Sequence, residues 1–200
     1  VYDFLWDELC DWYIEMAKVR LWKADEDPKA ANDALWTLRT ALTEGLKLLH
    51  PYMPFITEEI YCTLLPEEES IMISDWPVYQ EAWVFPEAEK AVESFKEAIR
   101  GIRNTRTEMN VPMNRKTHLY VVGKDAETCA RYEACKKSFV NLAFAKEIHV
   151  QENKDGIGED AVSVVVSDAV VYMPLEDLVD REKEMERLKK EQERLTKEIA

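Results

Sequence analysis

Residues 46–61 read Leu-Lys-Leu-Leu-His-Pro-Tyr-Met-Pro-Phe-Ile-Thr-Glu-Glu-Ile-Tyr, and this stretch predicts one helix end, a corner and a second helix start. Pro51 lacks a backbone donor and disfavours the helical conformation at His50, so the first helix ends there. Pro54 suits the first turn of the next helix. That helix carries an apolar stripe at Ile56, Ile60 and Leu64. Taken alone, the stretch is a structural corner and carries no chemistry.

Four amphipathic helices are predicted around this corner, because apolar residues recur at steps of three and four. Their approximate ranges are 1–23, 29–50, 54–66 and from 87 onwards. The stripe of the second helix comprises Leu35, Leu38, Leu42, Leu46 and Leu49. Between residues 66 and 86 the chain reads as a loop with a short extended piece at 71–73. Each stripe has to be buried against another, which predicts a helix bundle.

A different pattern follows residue 112. β-Branched, partly alternating runs predict strands, and a three-four rhythm between them predicts one helix. The predicted strands are residues 117–122, 147–150, 161–166 and 169–172, and the predicted helix is 127–144. From residue 175 a heptad seam follows, comprising Leu178, Met185, Leu188, Leu195 and Ile199. This seam predicts the start of a coiled-coil arm.

The predicted fold class is therefore α+β in several parts. A mainly α-helical bundle covers residues 1–112, a small α/β subdomain with a short sheet covers 113–174, and the first part of a C-terminal coiled-coil helix covers 175–200. The heptad pattern also allows two copies of the chain to associate through 175–200. Because the chain opens without methionine and ends inside the heptad pattern, we expect a piece of a longer protein.

The charge of the chain limits its partners. A net charge of −14 argues against a protein that coats nucleic acid without specificity, but it allows a local basic surface. Such a surface is predicted at Arg100, Arg103 and Arg106, which are three residues apart, with Arg115 and Lys116 nearby. Arginine suits phosphate oxygens. The alternative is that these side chains pair with carboxylates and stabilise the helix C-terminus.

The first helix offers a second candidate surface. Trp12 is predicted in the core, whereas Tyr13, Lys18, Arg20 and Trp22 offer stacking and cationic contacts to unpaired bases. The alternative is bundle packing, with a lysine that extends along the apolar surface.

No catalytic, cofactor or metal site is predicted. The three histidines, His50, His118 and His149, have no cysteine or carboxylate at a metal-ligand spacing. There is no Ser/His/Asp set and no Gly-rich phosphate loop. No apolar stretch is long enough to cross a membrane. The four cysteines form no CxxC pair, which favours reduced thiols and a cytoplasmic protein.

Six motifs occur in order along the chain: Phe-Leu-Trp-Asp at 4–7, Cys-Asp-Trp-Tyr-Ile-Glu at 10–15, the corner at 50–60, Ser-Asp-Trp-Pro at 74–77, Ile-Arg-Asn to Val-Pro at 102–112, and Met-Pro-Leu at 173–175. This ordered set resembles the bacterial valyl-tRNA synthetases, within the class I family of valine, isoleucine and leucine enzymes. The resemblance covers the whole chain, from within that family's anticodon-binding helical domain into its coiled-coil arm. The heptad arm after Leu175 favours valine, since the isoleucine enzyme commonly ends in a zinc module.

The resemblance implies a function. The family attaches valine to tRNA(Val) with ATP on a catalytic domain whose signatures are absent here, so this piece would hold tRNA and carry no catalytic site or cofactor. The resemblance implies a monomeric parent protein, and it makes Met16, Lys18 and Arg20 anticodon-side candidates. For residues 103–112 it leaves open RNA contact or a structural junction. The alternatives are the same domain of an isoleucine or leucine enzyme, or a coiled-coil interaction module without RNA binding.

Overall fold

The computed structural model describes residues 1–112 and 114–178, which form two compact units, Val1–Val84 and a second unit from Phe85 onwards. The helix predicted to close the bundle falls in the second unit. The predicted domain boundaries at 112 and 174 stay a prediction. The predicted coiled coil, with the association through it, lies outside the described residues beyond residue 178. None of the described helices is both long and apolar enough to span a lipid bilayer.

Four helical segments build the first unit. Its N-terminal segment, Phe4–Tyr13, has wide π-helical turns, in which Ile14 N–H donates to the Leu9 carbonyl five residues back. It continues as α1 (Ile14–Leu21). α2 and α3 follow as Pro28–Leu49 and Pro54–Leu64. Both begin with proline at the first turn, as the sequence predicts for α3.

The loop of the first unit contains two 3-10 turns, Ile71–Ile73 and Glu81–Trp83. The prediction of an extended piece at 71–73 is therefore wrong. The turn forms because the Ser70 hydroxyl accepts a hydrogen bond from Met72 N–H, and Ser74 N–H donates to the Ile71 carbonyl.

The predicted stripes of α2 and α3 coincide with the observed buried faces only in part, since Leu46 is in the core and Leu42 and Ile60 pack against it. Ile56 is 48% exposed and Leu35 is 49% exposed. On α3 the buried positions are Thr57 and Tyr61. Tyr61 packs with Leu46 and Ile71 in the core of this unit. Thr57 is satisfied on the same side of α3, since its Oγ1 lies 2.7 Å from His50 Nδ1 and donates to the Met53 carbonyl. On α2 the buried positions are small residues, Ala31, Ala34, Thr43 and Gly45, together with Leu46.

In the described part of the second unit, up to residue 178, three helices combine with a four-stranded sheet. α4 is Pro86–Glu108, α5 is Ala126–Leu142 and α6 is Leu175–Leu178. The strands are β1 (Thr117–Gly123), β2 (Ala145–Gln151), β3 (Val162–Val165) and β4 (Ala169–Met173). Each predicted strand and the helix between the first two are thus confirmed.

The sheet has the order β2-β1-β4-β3. β1 and β2 are parallel, with α5 as the crossover between them, and the other two pairs are antiparallel. α4 contacts α5 and β3. Phe95 of α4 meets Phe139 of α5 edge-to-face at 5.3 Å. This arrangement brings the C-terminal half of α4 next to the sheet and next to the end of α5, where the candidate site lies.

Candidate nucleic-acid interface

Arg106 of α4 is buried, with 4% of its surface exposed. Its Nη2 donates to the backbone carbonyls of Arg115 at 2.6 Å and Pro112 at 3.2 Å. Burial lowers the pKa of Arg106 from its usual value, but a guanidinium stays charged in a protein. These contacts tie the end of α4 to the chain entering β1, so they support the structural junction, one of the two roles left open for residues 103–112. An RNA contact by Arg106 stays a prediction, which its burial does not favour.

Arg103, one turn earlier, is exposed. Its Nε donates to the Leu142 carbonyl at 3.1 Å, and its guanidinium carbon lies 6.0 Å from the centre of the Phe144 ring. The guanidinium of Arg106 lies 5.6 Å from the same ring. A pocket of about 360 Å³ is lined by these three side chains and by Thr107 and Val111. The pocket thus joins the end of α4 to the end of α5.

Phe144 is a member of this site that the sequence did not reveal. It follows the C-terminus of α5 and has a φ of 54°, in the left-handed region. Glycine or asparagine usually occupies that position after a helix, and a bulky residue there is strained. No sequence pattern indicates this position, because Phe144 lies inside the range predicted as helix, 127–144.

Arg100 faces different surroundings from Arg103 and Arg106. It lines a cleft of about 830 Å³ bordered by α4, the start of α5 and the turn between β3 and β4. The cleft also contains cations that the sequence did not single out, Lys90, Lys124 and Arg131, and four carboxylates, Glu93, Glu97, Asp125 and Asp168. The three arginines spaced by three therefore do not form one continuous basic surface.

A polar network closes one wall of this cleft. Asp168 accepts hydrogen bonds from Ser94 Oγ at 2.5 Å and from Arg131 Nη2 at 3.3 Å. The Tyr132 hydroxyl lies 2.9 Å from Ser94 Oγ. Burial raises the pKa of Tyr132 to about 12, with the negative charges of Asp168 and Glu97 adding to the effect. Arg131 is thus engaged by the protein itself, which leaves the cleft balanced in charge.

The remaining basic candidates of the second unit lie near β1. Arg115 donates from Nη2 to the Glu176 carbonyl at 3.0 Å, and Lys116 is exposed. Nearby, Asp177 Oδ2 accepts from His118 N–H at 2.8 Å and lies 2.7 Å from His118 Nδ1. These contacts fasten the short helix α6 to the start of β1.

The candidates of the first unit lie on α1. Met16 and Lys18 are half-buried, and Arg20 is exposed. Lys18 forms an ion pair with Glu15 one turn earlier, at 2.5 Å. Among the aromatic candidates, the Tyr13 hydroxyl donates to the Ala34 carbonyl at 3.1 Å, whereas Trp22 is 75% exposed. Trp12 is buried, as predicted.

Within residues 1–112 and 114–178, no group of three or more His, Cys, Asp or Glu side chains is arranged to hold a metal ion. What the described residues offer is cations next to aromatic rings, on α1 and at the α4–α5 pocket. Guanidinium and ammonium groups bind phosphate, and aromatic rings stack on bases, so this combination suits contact with nucleic acid.

Comparison with known proteins identifies the family of the chain. Residues 1–121 match the family described as the anticodon-binding domain of tRNA ligase. Because this match covers more than half of the chain, the chain belongs to that family of anticodon-binding domains.

The full chain is also similar to valine–tRNA ligases. It is 48% identical to that of Clostridium perfringens (strain 13 / Type A) and 46% identical to that of Clostridium acetobutylicum, in both cases over all of this chain. The identity to the valine–tRNA ligase of Bacillus subtilis (strain 168) is 37%, again over the whole chain. The chain spans about a fifth of the length of these curated relatives, 22% in each case.

Proposed function

We propose that this chain is the tRNA-holding part of a valine–tRNA ligase and that it binds tRNA(Val) from the anticodon side. The observation that carries the proposal is the similarity to valine–tRNA ligases along the whole chain, combined with the match of residues 1–121 to the anticodon-binding family. The same evidence favours valine over isoleucine or leucine, since each relative named above is a valine–tRNA ligase.

The exposed end of α1 is the first proposed RNA contact. Arg20 and Trp22 face solvent, and Lys18 lies on the same helix, where it forms an ion pair with Glu15. An exposed ion pair of this kind contributes about 0–1 kcal/mol, so a phosphate can displace Glu15 at little cost. Met16 is the apolar neighbour of these cations on the same helix.

In this proposal the chemistry takes place elsewhere in the parent protein. The matched family describes anticodon binding, and the parent would use ATP to attach valine to tRNA(Val) on a separate catalytic domain. The parent would be a monomer in the cytoplasm. Any association of two copies through residues 175–200 is a separate prediction that sedimentation at several concentrations tests.

Filter binding of a tRNA(Val) transcript to the 200-residue chain tests the proposal. We expect Arg20→Ala and Lys18→Ala each to weaken binding and to lower the slope of affinity against salt by about one. Lys29→Ala is the matched control, because Lys29 is an exposed cation on the first turn of α2 in the same unit. If Arg20→Ala and Lys18→Ala have the same affinity and salt slope as Lys29→Ala, the α1 surface is not part of the tRNA interface. Failure of the unaltered chain to bind at about 50 mM salt would contradict the function itself.

A further inference from the structure

The pocket beside Phe144 is built by the motif of residues 102–112 and the end of α5. Arg103, Arg106, Thr107 and Val111 come from the motif, and Phe144 comes from α5. Its volume of about 360 Å³ falls within the usual size of small-ligand pockets, about 300–1,000 Å³. The motif thus forms a concave site as well as a junction.

The charge of this pocket is opposite to that of the chain. The net charge of the chain is −14, but two of the five described lining residues are arginines and none of the five is acidic. Arg106 is held in place by two backbone carbonyls, and Arg103 is held by the Leu142 carbonyl. The two positive charges are therefore positioned before any ligand arrives, which favours an anion.

The other wall of the pocket is aromatic and apolar. Phe144 keeps a left-handed backbone that glycine or asparagine would adopt with less strain. Residues held in such backbone conformations by the surrounding structure cluster at functional sites. The ring lies within 6.0 Å of both guanidinium groups and shares the pocket with Val111. A ligand that fits has one flat, apolar face and one negative charge.

We propose that this pocket takes one unpaired nucleotide of the bound tRNA, with its base against Phe144 and its phosphate against Arg103. The inference rests on the proposed function, because it names one subsite for that RNA. Aromatic rings read unstacked bases in this way, and an arginine fork suits phosphate oxygens. Arg106 stays in its junction contacts and contributes only its charge.

Two substitutions with different signatures test the subsite in the 200-residue chain. Phe144→Gly removes the ring but suits the left-handed backbone, so the fold persists. We expect it to weaken tRNA(Val) binding about tenfold with an unchanged salt slope, because stacking releases no counterions. Arg103→Ala weakens binding and lowers the salt slope by about one. Lys137→Ala, which removes an exposed cation of α5, leaves both quantities unchanged.

A crosslinking measurement locates the contact directly. A tRNA(Val) transcript containing 4-thiouridine is irradiated with the unaltered chain and digested with trypsin, which cuts after Lys137 and Lys146. We expect a crosslink in peptide 138–146, which contains Phe144, and its loss in Phe144→Gly. If the unaltered chain binds tRNA but neither substitution weakens binding and this peptide carries no crosslink, the inference is wrong and the proposed function stands. If the unaltered chain binds no tRNA, both are wrong.

Discussion

Arg106 Nη2 donates a hydrogen bond of 2.6 Å to the backbone carbonyl of Arg115, across the connection between α4 and β1. The same atom donates to the Pro112 carbonyl at 3.2 Å. Backbone hydrogen bonds also hold this connection, since Val111 N–H donates to the Arg106 carbonyl and Arg115 N–H donates to the Pro112 carbonyl. The guanidinium of Arg106 therefore adds side-chain hydrogen bonds to the backbone turns that lead from α4 into β1.

Arg106→Lys is expected to lower the free energy of unfolding by about 2–4 kcal/mol, because an ammonium does not reproduce the two hydrogen bonds from one planar group. Chemical unfolding followed by circular dichroism measures the loss. Arg103→Lys is the control, since Arg103 lies one turn earlier on the same helix and is exposed, whereas Arg106 is buried. Equal stability of the two variants would show that the junction does not depend on Arg106.

Gly101 marks the closest approach of α4 to β3. A Cβ at this position would lie 2.4 Å from Val164 Cγ1. Alanine gains about 1 kcal/mol in helix propensity over glycine, but forced overpacking costs about 1–3 kcal/mol. Val164 is stiff and buried, so the cost of the clash exceeds the gain in helix propensity. We expect Gly101→Ala to destabilise the chain by about 1 kcal/mol, as measured by urea unfolding.

The double variant Gly101→Ala, Val164→Ala is the test of this explanation. The new methyl group enters the space left by Val164 Cγ1, so the double variant should lose less stability than the sum of the single variants, by about 1 kcal/mol or more. Additive losses would mean that the helix does not meet the strand at this point.

The sequence predicts the elements of this chain well and their rotation less well. β1, predicted as 117–122, is Thr117–Gly123, because alternation and β-branching are local signals. α3 is also in place, but of its predicted stripe only Ile60 packs against the core, whereas Ile56 is exposed and Thr57 is buried. Apolar periodicity does not reveal a buried threonine whose hydroxyl is satisfied by His50 and the Met53 carbonyl.

The candidate site shows the same limit. Spacing by three places Arg100, Arg103 and Arg106 along one side of α4, yet Arg100 lines the cleft beside the β3–β4 turn while Arg103 and Arg106 share the pocket beside Phe144. The reason is that α5 and the β3–β4 turn come from distant parts of the chain. The place of Phe144 in the site depends on two features that the sequence does not indicate. They are the left-handed backbone after α5 and the packing of α5 beside α4. Contacts that depend on strand order cannot be read from one segment.

We expect the attachment of α6 to β1 through Asp177 to be sensitive to acid. Burial raises the pKa of this carboxyl, but the hydrogen bonds from the backbone and ring of His118, with the charges of His118 and Lys146, hold it below its usual value. A carboxyl with a lowered pKa stabilises the native state above its unfolded pKa of about 3.9, and this contribution is lost as pH falls through the native pKa.

Asp177→Asn should therefore be less stable than the unaltered chain at neutral pH, and the difference should shrink below about pH 4. Urea unfolding at a series of pH values measures it. Glu176→Gln is the control, because Glu176 is the exposed neighbour and its backbone carbonyl, not its side chain, accepts from Arg115. A difference for Asp177→Asn that does not depend on pH would contradict the role of its ionised form.

We expect the chain to lose stability at alkaline pH because of Tyr132. Its pKa is raised to about 12, above the usual value of about 10, foremost because burial disfavours the phenolate. Between these two values the unfolded chain has released a proton that the native chain still holds. The contribution of this group to the free energy of unfolding is thus fully present below about pH 10 and falls above it, by up to about 1.4 kcal/mol per pH unit.

Tyr132→Phe lacks this proton, so its free energy of unfolding should fall less steeply above about pH 10, although it starts lower because the hydrogen bond to Ser94 is gone. Ultraviolet absorbance of tyrosinate provides the second measurement: native titration curves of the two proteins should coincide up to about pH 11 and separate only near pH 12. Curves that separate near pH 10 would show that the Tyr132 hydroxyl ionises like an exposed one and is not enclosed by Ser94 and Asp168.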